Sequence, residues 1–197
     1  MKLLPFLLTL AALSVYSQST SPGSQSERLY QAEADSAQRR FEYLQKNGAQ
    51  ARPDPKPISL TENELNAWLS SRYAQLPQGV KKLRVHGESG VINANAFVDF
   101  DEITARRQSS NPMLSLFHGT HEVQATAHAA GSGGQGRVDI DSVALDGIAI
   151  PRMAVEYFVD KYIKPKHPEI GMNTVFKLPN RIDSAAIGNR QLTLTQK

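Results

Sequence analysis

The stretch Ile58–Tyr73, ISLTENELNAWLSSRY, starts as a strand and becomes a helix within a few residues. Thr61 and Glu64 have the spacing of a capping box, so the chain leaves the strand-like ISL and enters a helix at Glu62. Leu65, Trp68, Leu69 and Tyr73 fall on one side of that helix, and Asn63, Asn66 and Ser70 on another. The only tryptophan of the chain therefore sits on an apolar helical face that needs a partner, and the partner is expected to be a sheet.

Downstream of this helix the apolar period changes from helical to alternating. VKKLRV and VINANAFVDF flank HGESG, which is turn chemistry, and Ile92, Ala94, Ala96, Val98 and Phe100 share one face. A polar excursion, DEITARRQSSNP, separates this hairpin from HEVQATAHAAG, whose apolar face (Val123, Ala125, Ala127, Ala129) is made of small residues. In GRVDIDSVALDGIAIP the facing switches: Val138 and Ile140 are at even positions, Val143 and Leu145 at odd ones. A bulge near Asp141-Ser142 would restore a single apolar face and bend the strand. Pro151 then opens a third helix, PRMAVEYFVDKYI, apolar around enough of its circumference to be expected under cover on more than one side. The chain closes with TVFKLP and a hairpin, IDSAAI and QLTLTQ, joined by GNR. No internal repeat is present.

Upstream, SQSERLYQAEADSAQRRFEYLQKNG reads as a helix from Gln25 to Lys46, capped by Ser24 and Glu27 and stopped by Asn47-Gly48. Tyr30, Ala34, Ala37, Phe41 and Leu44 form a narrow apolar seam. The seam is expected to pack along the following domain, a coiled-coil dimer being the less favoured alternative because the pattern is short. NGAQARPDPKP, with three prolines, is an extended linker. The first residues, MKLLPFLLTLAALSVYSQS, have one basic residue, a short apolar run and small residues after it, the plan of a secretory signal peptide cleaved after Ser17. The run is too short to span a bilayer, which takes roughly 20 apolar residues, and no membrane span is expected elsewhere. The divisions expected are residues 1–17 as signal peptide, 18–57 as helix and linker, and 58–197 as the α+β domain.

Composition narrows the function. The chain has 22 Lys and Arg against 19 Asp and Glu and no cysteine, so loss of Lys2 with the leader leaves a net charge of +2. That is too little to argue for nucleic acid, and an exported chain without disulfides is held by its core. GSGGQG, residues 131–136, fits a dinucleotide-binding pattern, but a strand and not a helix follows it, so a hairpin loop is expected and no cofactor. His118, His121, Glu122 and His128 suggest a metal cluster without a second ligand group at a recognised spacing, so no metal is expected. Asp99, Asp101, Glu102, Asp139 and Asp141 read as solvated strand ends, and no nucleophile motif is present. The expectation is a protein that is not an enzyme.

In order, the export signal, LTENELNAWL, LPQGVKKLRV, a hairpin ending AFVDFDE, GIAIPRMAVEYFV and LPNRIDSAAIGNRQLTL resemble small bacterial envelope proteins of the tubular lipid-binding (TULIP-like) group. The resemblance covers Ile58 to Thr195. It implies a curved antiparallel sheet wrapped with a helix around an apolar groove, a lipid or other amphiphile as ligand, and a place in the periplasm or outside the cell. The fold class expected is α+β: that sheet packed against two helices, preceded by a separate N-terminal amphipathic helix. The groove is expected to be lined by Leu65, Trp68 and Leu69 from the helix and by Ile92, Ala94, Val138 and Ile140 from the sheet. The rival function is an exported interaction or scaffolding module with a closed core, docking a partner through the N-terminal seam.

Overall fold

A computed structural model describes residues 22–104 and 117–197, with side chains from Gln25 onward. The expected signal peptide and most of the polar excursion after Asp101 lie outside the described residues, and α1 begins at Pro22, so the expected cap Ser24 falls inside the helix. The chain runs through α1 (Pro22–Gly48), β1 (Ile58–Thr61), α2 (Glu62–Leu69), β2 (Val80–Glu88), β3 (Val91–Asp99) and α3 (Phe100–Thr104). It continues through β4 (Thr120–Ser132), β5 (Gln135–Leu145), β6 (Ile148–Ala149) and α4 (Arg152–Phe158), which passes into a π-helical turn, Val159–Ile163. β7 (Asn173–Lys177), β8 (Ile182–Gly188) and β9 (Gln191–Gln196) complete it.

The described strands form one antiparallel sheet of nine, an α+β fold. Its main path is β1-β9-β8-β4-β3-β2, with β5 on the other side of β4 and β6 and β7 beyond β5. The hairpins are set by their turns. Ser89-Gly90, Gly133-Gly134 and Asp146-Gly147 each place two consecutive residues at positive φ, the geometry that matches the twist of paired strands. β4 is long enough to serve two neighbours in succession: it lies beside β3 up to His128, then meets β8 where Gly131 faces Ala185. The end strands β1 and β2 do not pair with each other, so the sheet is open. The curled sheet implied by the resemblance is thus corrected.

The bulge falls where the switch of facing requires it. Thr126 pairs with Ser142 and Ala127 with Ile140, which leaves Asp141 as the extra residue. Val138, Ile140, Val143 and Leu145 consequently stand opposite Ala129, Ala127, Ala125 and Val123 on one face.

Helices cover that face in two separate places. Over one half, Ala154, Val155 and Phe158 of α4 meet Ala96, Val98 and Leu145 of the sheet. Phe100, Phe117 and Phe158 complete this core, with ring centroids 4.5 to 5.3 Å apart. The π turn, where Lys164 N–H reaches the carbonyl of Val159, leaves Tyr162 and Ile163 packed against the same core. The other flank of α4 is bare: Met153 is 70% and Tyr157 40% exposed, so this helix is covered on one side and not on several.

Over the other half, Ala37 and Leu44 of α1 join Leu60, Leu178, Ile182 and Leu194 in a second core. The N-terminal helix is therefore not separate, a second correction. Its seam is spent inside the chain, with Ala34, Ala37 and Leu44 fully buried and Tyr30 Oη donating to the Asn66 carbonyl of α2 at 3.0 Å. The proline-rich linker is tied back as well, Asn47 exchanging two hydrogen bonds with the backbone of Asp54. Between the two cores lies a strip of the same face that neither helix group covers. Val85, Ile92, Ala94, Ala125, Ala127, Ala129, Val138 and Ile187 are all only half-buried there.

Candidate functional site

The uncovered strip deepens into a cavity where α2 meets the sheet. α2 is fixed first at its N-terminus: Thr61 Oγ1 accepts from Glu64 N–H, and the Glu64 carboxylate accepts from Thr61 N–H at 2.9 Å, the reciprocal box expected from the sequence. It is then fixed along its length by Asn66, whose side chain pairs with both backbone groups of Val85, donating to the carbonyl at 2.9 Å and accepting from the N–H at 2.8 Å. β2 is an end strand, and these are groups that would otherwise lack a ladder partner. The result is a helix held beside the strand edge.

The space left between them is a cavity of about 220 Å³ lined by Leu65, Val85, Ile92, Ile187 and Leu192, with Glu62, His86, Gly87 and Gln191 around the rim. Glu62 organises the rim: its carboxylate lies 2.8 Å from His86 Nδ1, accepts from Gly87 N–H at 3.3 Å and stands 3.4 Å from Arg190 Nε. The cavity is smaller than the ~300–1,000 Å³ usual for sites that enclose a small molecule. It is sized for one apolar group or chain segment.

Of the residues expected to line a groove, Leu65 and Ile92 do so. Ala94 follows Ile92 on the half-buried strip, and Val138 lies on the same strip beyond β4. Ile140 packs against the α4 core, away from the cavity. Trp68 turns from the sheet to α1. Its ring centroid is 4.8 Å from that of Phe41 and its indole N–H donates to Gln38 Oε1 at 2.8 Å. Leu69, the last residue of α2, borders a surface depression shared with Tyr30 and Leu83, and Tyr73 lies beyond the helix, its hydroxyl donating to Asp35. Val85, Ile187 and Leu192 were missed, although each sits on the apolar side of an alternating strand. What brings them together is the approach of the β2–β3 turn to the β8–β9 turn, where Gly90 N–H meets the Ile187 carbonyl and Arg190 N–H the Gly87 carbonyl.

A second concavity crosses the opposite face. It is a cleft of about 550 Å³ running across the strands between two rows of side chains. The pairing places His86, Asn93, Thr126 and Ser142 in one row and Arg84, Asn95, Gln124 and Ala144 in the other, with Val85, Ala94, Ala125 and Val143 between the rows as the floor, Glu62 and Asn66 at the α2 end and Ala149 at the β6 end. Thr126 Oγ1 donates to Asn93 Oδ1 and Asn95 Nδ2 to Glu122.

The other candidate motifs resolve into structure. GSGGQG is a tight hairpin: Gly133-Gly134 make the turn, and Gly131 faces Gly136 across the ladder. A Cβ at Gly131 would stand 2.8 Å from Ala185 Cβ and 3.0 Å from the Ala185 backbone nitrogen. Gly131→Ala is accordingly expected to cost about 1–2 kcal/mol by overpacking the β4–β8 contact, measured by urea denaturation. His121 hydrogen-bonds Asp146 at 2.6 Å and the His118 carbonyl at 2.6 Å. The Asp146 bond above all, opposed by partial burial and helped by the carbonyl, holds its imidazole above the ordinary histidine range. His128 pairs with Asp141, the bulged residue, at 2.8 Å. Among the described residues no three His, Asp or Glu side chains gather in a way that would hold a metal ion. Asp139 is engaged by Arg137 and Asn173, which hold it below the usual carboxylate range.

No family model matches the chain, and neither a curated protein nor a solved structure is detectably similar to it.

Proposed function

We propose that the protein binds a lipid or other amphiphile without catalysis, an apolar segment of the ligand entering the cavity between α2 and the sheet. The observation that carries this is the pairing of a cavity walled by aliphatic side chains with a half-buried apolar strip running on from it across β3, β4 and β5. A closed core would cover such a strip, because uncovered apolar area forgoes about 25 cal/mol per Å². Here alanines at 94, 125, 127 and 129 keep the strip shallow, leaving room above it. The resemblance of the motifs to tubular lipid-binding proteins of the bacterial envelope supports the same reading, and the leader-like N-terminus supports an exported protein. The open sheet makes the proposed site a trough and cavity, not an enclosed tube. The scaffolding alternative through the α1 seam is weakened by the seam's own burial against α2 and the sheet.

Native mass spectrometry of the delipidated protein with palmitate and with phosphatidylglycerol provides the test. Wild-type protein is expected to retain one or both. Ile92→Phe, which fills the cavity from its floor, is expected to bind at least about tenfold more weakly while losing little stability, since cavity filling is often neutral or stabilising. Failure of the wild type to retain either lipid, or equal binding by the variant, would reject the proposal.

A further inference from the structure

We infer that the cleft on the outer face of the sheet is a second binding site, one for an acidic oligosaccharide. This rests on the polar side chains of that face; the cleft meets the apolar cavity at Glu62, Val85 and His86, which line both, and its other lining residues are its own.

The cleft crosses β2, β3, β4, β5 and β6, so at about 4.8 Å between strands it is roughly 20 Å long. Its walls offer side-chain hydrogen-bonding groups on β2, β3, β4 and β5. Asn93, Gln124 and Ser142 present amide and hydroxyl groups, and Gln124 and Ser142 have no side-chain hydrogen bond among the described residues. A ligand with many hydroxyls along an extended backbone matches such a series of neutral donors and acceptors. At the far end Ala144 and Ala149 supply an apolar patch suited to the C–H face of a sugar ring.

Charge specifies the ligand further. Arg84 lies in the cleft wall, is exposed, and makes no ion pair or side-chain hydrogen bond among the described residues. Two carboxylates stand at the cleft and both are engaged: Glu62 by His86, the Gly87 N–H and Arg190, and Glu122 by Asn95 Nδ2. A carboxylate or similar anion on the ligand therefore has a guanidinium to receive it in bidentate fashion. Other partners fit less well. A peptide strand docks along a sheet edge and needs side-chain pockets, whereas this cleft runs across the strands between rows of polar groups over a shallow floor of Val85, Ala94, Ala125 and Val143. Nucleic acid needs several phosphate-binding cations, and the cleft has one unpaired arginine.

The test is heteronuclear NMR titration of the full chain with the hexamer of polygalacturonate, with neutral cellohexaose, with hexaglutamate and with inorganic phosphate. The acidic hexasaccharide is expected to shift the amide resonances of Asn93, Gln124 and Ser142 and to bind about tenfold more tightly than the neutral one, the value of a charge-assisted hydrogen-bond pair. Arg84→Ala should remove that difference, leaving both sugars equal. Gln124→Ala should weaken both sugars alike. Both side chains are exposed, so neither variant endangers the fold. The inference is overturned if no sugar shifts these resonances, if hexaglutamate or phosphate binds as tightly as the acidic sugar, or if Arg84→Ala binds as the wild type does.

Discussion

Trp68→Ala is expected to destabilise the protein by about 3–5 kcal/mol, the usual cost of truncating a large packed aromatic, and to leave amphiphile binding unchanged in whatever fraction stays folded. The ring lies against Phe41 and its N–H is satisfied by Gln38, so truncation removes packing between α1 and α2 together with the hydrogen bond to Gln38 Oε1. The cavity, by contrast, is walled by Leu65 and not by Trp68. Being the sole tryptophan, Trp68 is also a clean optical probe. Its emission should be that of a half-buried indole, insensitive to palmitate, and should shift to the red when α1 is removed. A marked emission change on adding lipid, together with a small loss of stability in Trp68→Ala, would place the indole in the ligand site and overturn this assignment.

The identity of that neighbour shows where sequence pattern stops being informative. Leu65, Trp68 and Leu69 are spaced to share a helical face, yet they meet different neighbours. Spacing says that a face is buried but not against what, and α2 is short enough to be sandwiched, with Leu65 toward the strands and Trp68 toward α1. The expected separation of α1 failed for a related reason. The proline-rich linker looks like a spacer, yet Asn47 clamps Asp54 and folds the linker back so that the seam reaches Leu60 and Leu194. Local rules fared better where the cause is local. The Thr61–Glu64 capping box, the Asp141 bulge and the glycine-rich hairpin all follow from residues within a few positions of one another. The cavity was half legible, since Leu65 and Ile92 belong to alternating or helical patterns, whereas Ile187 and Leu192 arrive through a contact between two hairpin turns far apart in the chain. The outer cleft was not legible at all, because polar residues on the solvent side of strands are ordinary until the register sets them in rows.

Glu64→Ala should cost about 3 kcal/mol at neutral pH, an effect larger than a helix cap alone provides. Besides closing the capping box, the Glu64 carboxylate accepts from Ser36 Oγ of α1 at 2.8 Å and pairs with Arg40 Nη1, which also donates to the Ser59 carbonyl on the open edge of β1. One buried carboxylate thus ties α1, α2 and β1 together. Burial by itself would raise its pKa, but the Thr61 N–H, the Ser36 hydroxyl and the Arg40 charge outweigh it and hold the group below the ordinary glutamate range. A carboxylate whose pKa is lowered by folding stabilises the native state fully above its unfolded value, about 4.3, and loses that contribution as pH falls through the lower folded value. Glu64→Gln keeps the shape and some of the hydrogen bonds while removing the charge, so it isolates this effect. Its stability deficit should be about 2 kcal/mol at pH 7, constant down to about pH 5, and should shrink steadily below pH 4 as the wild-type carboxylate takes up its proton. Urea denaturation of wild type and Glu64→Gln across that range measures the difference directly. A deficit that stays level to pH 3 would mean that the charge of Glu64 contributes nothing and that the amide's misfit alone accounts for the loss.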